Sequence, residues 1–264
     1  MTTAAHPITA LASLGREASA YPQQVAERVY RLGTKWINFH LIEEGGEFTL
    51  VDAGYPSYWR HLVAATDALG TSPRAIKAVI LTHHHADHAG IAERLRSTAG
   101  ARVFVGEGDA WIAAGRYPSH ANPGFYRDCW WRPSGIGFLA HSAVSGGAKY
   151  RPIGELEDLR EDRILDVPGR PLVIRTPGHT AGHYSVALPE RGVLLVGDAL
   201  ANFDYATGRR AVGLHRFNDD RQIALASLSR LDGIHAETVL FGHGEPWIGG
   251  VDRALELARA AAGN

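Results

Sequence analysis

The feature that most constrains this chain is the stretch Thr82-His83-His84-His85-Ala86-Asp87-His88-Ala89, which follows directly on the apolar run Ala78-Val79-Ile80-Leu81. A short run of this kind, ending in polar residues, reads as a buried strand whose carboxyl end opens into a loop. Open sheets place their chemistry at such ends. His83 and His85, two apart in extended backbone, project to one side and can grip one ion, while Asp87 and His88 lie past the bend, where a second ion can sit. Imidazole nitrogen and carboxylate oxygen suit zinc and its first-row neighbours. The bland alternative is a surface histidine run without metal; the density of interleaved His and Asp, and the ligands found later in the chain, weigh against it.

Composition narrows the partners. The chain has 264 residues, 45% hydrophobic and 21% charged, with a net charge of -1. That is an ordinary soluble balance with enough apolar residues for a sizeable core. No block of Lys or Arg invites nucleic acid, and no stretch reaches the roughly eighteen apolar residues of a membrane span. The single cysteine, Cys129, forbids an intrachain disulfide and a thiolate zinc site. The first twenty-odd residues lack a basic start followed by a long apolar core, so a cytoplasmic location is expected.

The order of elements follows from apolar spacing. Residues 1–20 read as a flexible lead-in. Strands are expected at 25–32, 36–42 and 48–51 as a β-meander, then a helix at 58–69, the strand before the histidines, a helix at 91–99, a strand at 101–105 and a helix at 109–114. Residues 115–150 break the rhythm: Tyr117, Phe125, Tyr126, Trp130, Trp131 and Phe138 stand among many Gly, Pro and Ser. They read as an aromatic-rich insertion in the form of a long loop, either a pocket wall, a satellite core or a subunit interface of a homo-oligomer. Phe125, Tyr126, Trp130 and Trp131 are the candidate substrate contacts. Strands resume at 164–167, 172–176, 184–188 and 193–196, then a polar loop from 198 to 219, a helix from 223, a strand at 238–241 and a helix at 251–262. The two strand-rich halves suggest a pseudo-duplication, without a sequence repeat behind it.

Three later segments share the form of the first, an apolar strand delivering a His or Asp at its end. They are Pro177-Gly178-His179-Thr180, Gly197-Asp198 and Gly242-His243-Gly244. Taken singly each is a common turn. Taken together with H-x-H-x-D-H at 83–88, in this order and across roughly residues 25 to 245, the chain resembles the metallo-β-lactamase superfamily. The resemblance implies an α/β fold, a four-layer αββα sandwich spanning residues 21–264 as one domain, with a two-metal site at one edge of the sheets. By position, His83, His85 and His179 would hold the first ion, Asp87, His88 and His243 the second, and Asp198 would bridge them. Asp52 matches a family position near the metals, from which it would orient a ligand His through its other ring nitrogen.

The chemistry of that arrangement can be stated from the charges. Two divalent cations, zinc first among the candidates, bring about four positive charges, and the residual field lowers the pKa of a bridging water from about 15.7 toward 7. The resulting hydroxide is the expected nucleophile, with Asp87 able to carry the leaving-group proton and Tyr205 a candidate for hydrogen bonding to the carbonyl. His84 and His183 are expected to pack behind the metals; His215 and Cys129 receive no role.

Within the superfamily, the presence of Asp198, the absence of a neighbouring Cys and the lack of an export signal disfavour a β-lactam hydrolase. The motifs look most like hydroxyacyl-glutathione hydrolases, but those carry a long helical extension after the last His, where only 21 residues follow His243. Acyl-homoserine lactonases share the ligand set. The expected function is therefore a binuclear hydrolase of a carboxylic ester, lactone or thioester acting on a small acyl substrate. The competing readings are a mononuclear iron sulfur oxygenase of the same fold and a non-catalytic metal-binding module.

Overall fold

The computed structural model describes residues 21–118, 123–149 and 151–263; the lead-in expected at 1–20 lies outside them. The first half supplies strands β1 (Gln23–Ala26), β2 (Val29–Gly33), β3 (Asn38–Glu44), β4 (Glu47–Val51), β5 (Ile76–Ile80), β6 (Arg102–Gly106) and β7 (Glu157–Leu159), side by side in that order. The pairings from β1 to β4 are antiparallel and those from β4 to β7 parallel. The second half supplies β8 (Arg163–Ile164), β9 (Leu172–Arg175), β10 (Tyr184–Leu188) and β11 (Val193–Gly197), a separate hairpin of β12 (Leu200–Asp204) with β13 (Arg209–Leu214), then β14 (Thr238–Phe241) and β15 (Trp247–Ile248). The second sheet runs β15-β14-β11-β10-β9-β8.

Alternation of side chains explains why two such sheets must stack. In β3 to β6 the buried neighbours Leu41/Ile42, Leu50/Val51, Val79/Ile80 and Val103/Phe104 point to opposite faces. Ile42, Val51, Ile80 and Phe104 meet Val173, Val186, Leu195 and Leu240 of the second sheet in one core. Their partners Leu41, Leu50, Val79 and Val103 pack outward against Leu62 and Leu95, from helices α1 (Trp59–Ala68) and, beyond α2 (Ala86–Ala89), α3 (Ala92–Ala99). On the other side Ala187, Leu194 and Val239 face Leu228, Ala254, Leu255 and Ala258. A sheet apolar on both faces needs a cover on each, and the outcome is the expected helix-sheet-sheet-helix sandwich.

Four expectations change. The strand foreseen at 25–32 is two strands, β1 and β2, because the chain reverses at Glu27-Arg28, where Arg28 takes a left-handed φ of 54°. The polar loop foreseen at 198–219 contains the β12-β13 hairpin, whose Asp204 side chain accepts hydrogen bonds from Ala206 N and Thr207 Oγ1 to close the turn. After α4 (Glu107–Ala113), the 115–150 insertion is largely helical, with α5 (Pro123–Cys129) and α6 (Pro133–Ser145). Proline is tolerated at a first helical turn, and a Cβ on Gly135 would run into the Cys129 backbone; the residues that read as loop breakers are helix starts and a close crossing. The 164–167 strand shortens to Arg163–Ile164. Helices α7 (Arg221–Ser227) and α8 (Val251–Ala262) complete the outer layer. No described helix is long and apolar enough to cross a membrane.

Candidate metal centre

Four strand ends and one loop deliver the site to one edge of the sandwich. Asp52 leaves β4, residues 82–88 leave β5, Asp198 follows β11 and His243 follows β14, while the loop after β9 brings His179. The edge is stitched across sheets by backbone: Tyr184 N donates to Thr82 O at 2.8 Å and Asn38 N to Gly242 O at 2.8 Å. Asn38 Nδ2 adds bonds to Phe241 O and Gly244 O on either side of His243. A Cβ on Gly242 would collide with the Asp198 carboxylate and the His88 ring. Gly242→Ala is therefore expected to displace Asp198 and weaken metal binding by about 10–100-fold, as loss of a ligand-orienting contact does; competition with a chromophoric chelator reads it.

The structure brings the seven predicted ligand residues together. His83 Nε2 lies 2.9 Å and His179 Nε2 3.1 Å from His85 Nδ1. Asp87 Oδ2 stands 3.7 Å from His88 Nε2 and 3.6 Å from His243 Nε2. Asp198 sits between the two triads, with Oδ2 at 3.5 Å from His179 Nε2 and 3.3 Å from His243 Nε2, and Oδ1 at 3.6 Å from His88 Nε2. A tetrahedral ion bound at about 2.0–2.1 Å keeps its ligand atoms about 3.3–3.4 Å apart, so both triads have the span of an ion's coordination shell.

Hydrogen bonds behind the rings set which nitrogen faces inward. His88 Nδ1 donates to Asp52 Oδ2 at 2.9 Å, and His243 Nδ1 donates to the Trp36 carbonyl at 2.6 Å. His83 Nδ1 is 3.0 Å from Thr82 Oγ1, whose hydroxyl donates to Asp52. All three therefore turn Nε2 toward the centre, the nitrogen that a cation would take in place of a proton. His88 Nε2, His243 Nε2 and Asp198 Oδ1 are buried without a hydrogen-bond partner among the described residues. Buried polar atoms are rarely left so, and here they converge; the donor set fits divalent cations.

Electrostatics separate the triads. Burial, reinforced by neighbouring imidazoles, holds His83 and His179 well below the ordinary histidine range and His85 down at about 3. Burial alone would lower His88 too, but the carboxylates of Asp198, Asp52 and Asp87 outweigh it and push His88 up to about 10. His243 is raised for the same reason, by Asp198 and Asp87 against burial. The first triad is thus neutral and ready to ligate, while the second holds positive charge in the place a cation would take.

Two further groups hold the ligand loops. Asp109, at the start of α4, accepts from His84 N at 3.0 Å, Thr180 Oγ1 at 2.7 Å and Gly182 N at 2.8 Å, and its Oδ2 lies 3.1 Å from His84 Nδ1. One buried carboxylate therefore ties the loop of His83 and His85 to the loop of His179. Burial would raise its pKa, but these donors hold it below the ordinary carboxylate value. Asp109→Ala is expected to destabilise the fold by roughly 3–5 kcal/mol, as loss of one partner of a buried pair does, measured by urea unfolding. His183 packs behind the centre, accepting from Asp198 N at Nε2 and bonded to Thr176 Oγ1 at Nδ1. Neither Asp109 nor its span across the two loops is visible in the sequence, because its partners stand 25 or more positions away.

Above the ligands lies a cavity of about 380 Å³, walled by Tyr55, Phe125, Tyr126, Phe138, Leu139 and Phe217 and floored by His85, Asp87, His179, Asp198 and His215. Tyr205 lines it as well, its ring stacked on Phe138 at 3.9 Å and 4.8 Å from the His243 ring. Of the four predicted substrate contacts, Phe125 and Tyr126 line this cavity. Trp130 and Trp131 do not; they follow the end of α5 on the outer surface, 67% and 57% exposed, because the helical turn that points Phe125 inward points them away. His215, without a role on the sequence reading, stands 3.5 Å from Asp198 Oδ2. It follows β13 directly after Val212-Gly213-Leu214, the same strand-then-histidine form as the predicted ligands, hidden by reading that segment as loop.

Residues 37–243 match the family model described as the metallo-beta-lactamase superfamily. The chain is 28% identical over 239 residues to the probable metallo-hydrolase YflN of Bacillus subtilis (strain 168), covering 86% of this chain and 87% of that protein. It is 28% identical over 189 residues to a hydroxyacylglutathione hydrolase of Rhodospirillum rubrum, covering 71% of this chain and 55% of that one. The chain spans less than two thirds of the length of several of the relatives it matches. Among solved structures, a metallo-beta-lactamase family protein of Thermus thermophilus superposes with a TM-score of 0.65 at 29% identity, covering 90% of this chain and 80% of that one.

Proposed function

The chain belongs to the metallo-β-lactamase superfamily, and from that premise we propose that it is a hydrolase using two divalent cations, zinc first among them, to cleave an uncharged, apolar carboxylic ester, lactone or thioester. The observation that carries this reading is the junction of two ligand triads sharing Asp198 with an aromatic cavity directly above them. When bound, the cations would supply ionised water at neutral pH and a positive field on the carbonyl. The protein supplies the rest. Phe125, Phe138, Leu139 and Phe217 exclude water and seat an acyl chain. Asp87 turns Oδ2 to His88 and His243, so Oδ1 is the atom placed to take a proton and return it to the leaving group. Burial raises the Tyr205 hydroxyl well above its ordinary range, with Asp87 and Asp198 adding to it; the hydroxyl stays a donor toward bound substrate.

A second reading, cleavage of a glutathione thioester, draws support from the Rhodospirillum rubrum relative. Glutathione carries carboxylates, and carboxylates are held best by Arg or Lys; among the described residues the cavity lining contains neither. Assay of the zinc-loaded protein against neutral lactones, aryl esters, neutral acyl thioesters and S-lactoylglutathione tests both. Metal-dependent turnover of the neutral set is expected. Turnover of S-lactoylglutathione alone favours the second reading, and about one iron per chain with no hydrolysis would replace both with the oxygenase.

A further inference from the structure

We propose that His215 is a catalytic hydrogen-bond donor, not a metal ligand, and that its Nε2–H holds the acyl oxygen that gathers negative charge as the ester or thioester is attacked. This rests on the hydrolase reading above. His215 Nδ1 accepts the backbone N–H of Phe217 at 3.2 Å. A backbone N–H can only donate, so Nδ1 carries the lone pair and the neutral ring carries its proton on Nε2. His83, His88 and His243 are fixed the other way, each with a hydrogen on Nδ1 facing an oxygen and Nε2 aimed inward. Ligation through His215 Nε2 would require a hydrogen on Nδ1, directly opposed to the Phe217 N–H.

The position of that N–H suits a substrate oxygen. His215 is 3% exposed and lines the cavity over the ligands. Its ring stands edge-on to His179 at 4.6 Å, so it belongs to the first triad's side, whereas Tyr205 lies against His243 on the second. Nε2 is 3.5 Å from Asp198 Oδ2, longer than the roughly 2.7–2.9 Å of a charge-assisted bond, so the carboxylate does not consume the donor. A preorganised donor in a water-poor pocket, aimed where charge develops, is the arrangement that lowers the barrier most.

The test uses the full-length, zinc-loaded protein, His215→Ala and His215→Gln, with three readouts. On whichever ester or lactone is turned over, His215→Ala is expected to lower kcat by about 10²-fold, the scale of losing one oxyanion donor, with KM within a few-fold and partial recovery in His215→Gln. Metal content and the visible spectrum of the cobalt-substituted protein are expected to match the parent. Titration calorimetry with hexanoate, which needs no turnover, is expected to show about tenfold weaker binding to His215→Ala, as for loss of a hydrogen bond to a charged group. Loss of an ion or a shifted cobalt spectrum would make His215 a ligand and overturn the proposal. Unchanged hexanoate affinity, or a kcat within twofold of the parent, would overturn it too. Weaker hexanoate binding in a protein that turns over no acyl substrate would uphold the donor and sink the hydrolase reading alone.

Discussion

Asp198→Asn is expected to reduce kcat/KM by about 10²–10³-fold, the scale of losing one preorganised electrostatic group from an active site. The residue is 2% exposed, faces His88, His179 and His243 at once, and donates its backbone N–H to His183 behind the centre. Burial would raise its pKa, yet His243, His215 and His88 hold it well below the ordinary carboxylate range. It is therefore ionised in the folded protein, and its charge is what the asparagine removes. Because Asn keeps the shape, the substitution separates charge from packing: circular dichroism is expected to match the parent while steady-state kinetics collapse. Full activity in this variant would show that turnover does not depend on the charge of Asp198.

Removing the metal is the second large perturbation. The ionised Asp198 carboxylate bridges toward a second triad in which His88 holds a proton, and the first triad sets the ring nitrogens of His83 and His179 2.9 and 3.1 Å from His85 Nδ1. Dialysis against a strong chelator is expected to abolish turnover, and restoring zinc to about 1,000 times its dissociation constant is expected to stabilise the fold by about 4 kcal/mol. For a domain of this size that is a shift in Tm of about 8–16 °C, read by scanning calorimetry. The pH dependence has a definite sign. His88, pushed up to about 10, holds a proton at neutral pH that a ligand nitrogen must lose. Metal uptake is then accompanied by proton release, and affinity falls as the pH is lowered. A weakly buffered titration with an indicator dye measures it.

What can be read from the residues, and what cannot, follows from where each signal lives. The predicted ligand histidines are legible because each follows an apolar strand, and local pattern suffices to place a strand. The four layers are legible because β3 to β6 are apolar on both faces. Asp52 can be placed only by the resemblance; its use of both oxygens, on Thr82 and His88, depends on a left-handed turn at φ 60° that no pattern announces. The insertion at 115–150 reads as loop because Pro123, Pro133 and Gly135 are loop formers in isolation and helix starters or crossing points in context. The same error moves Trp130 and Trp131 into the pocket: without the helix, nothing says that they face outward while Phe125 faces in. His215 is lost through the hairpin, since its strand opens on Arg209-Arg210, is half exposed and lies apart from both main sheets.

The centre itself is best tested by diffraction from crystals of the zinc-loaded protein, recorded on both sides of the zinc absorption edge. The account predicts two anomalous peaks, one among His83, His85 and His179 and one among Asp87, His88 and His243, with the Asp198 carboxylate touching both. A single peak with Asp198 turned away from it, or zinc bound elsewhere on the molecule, would contradict it.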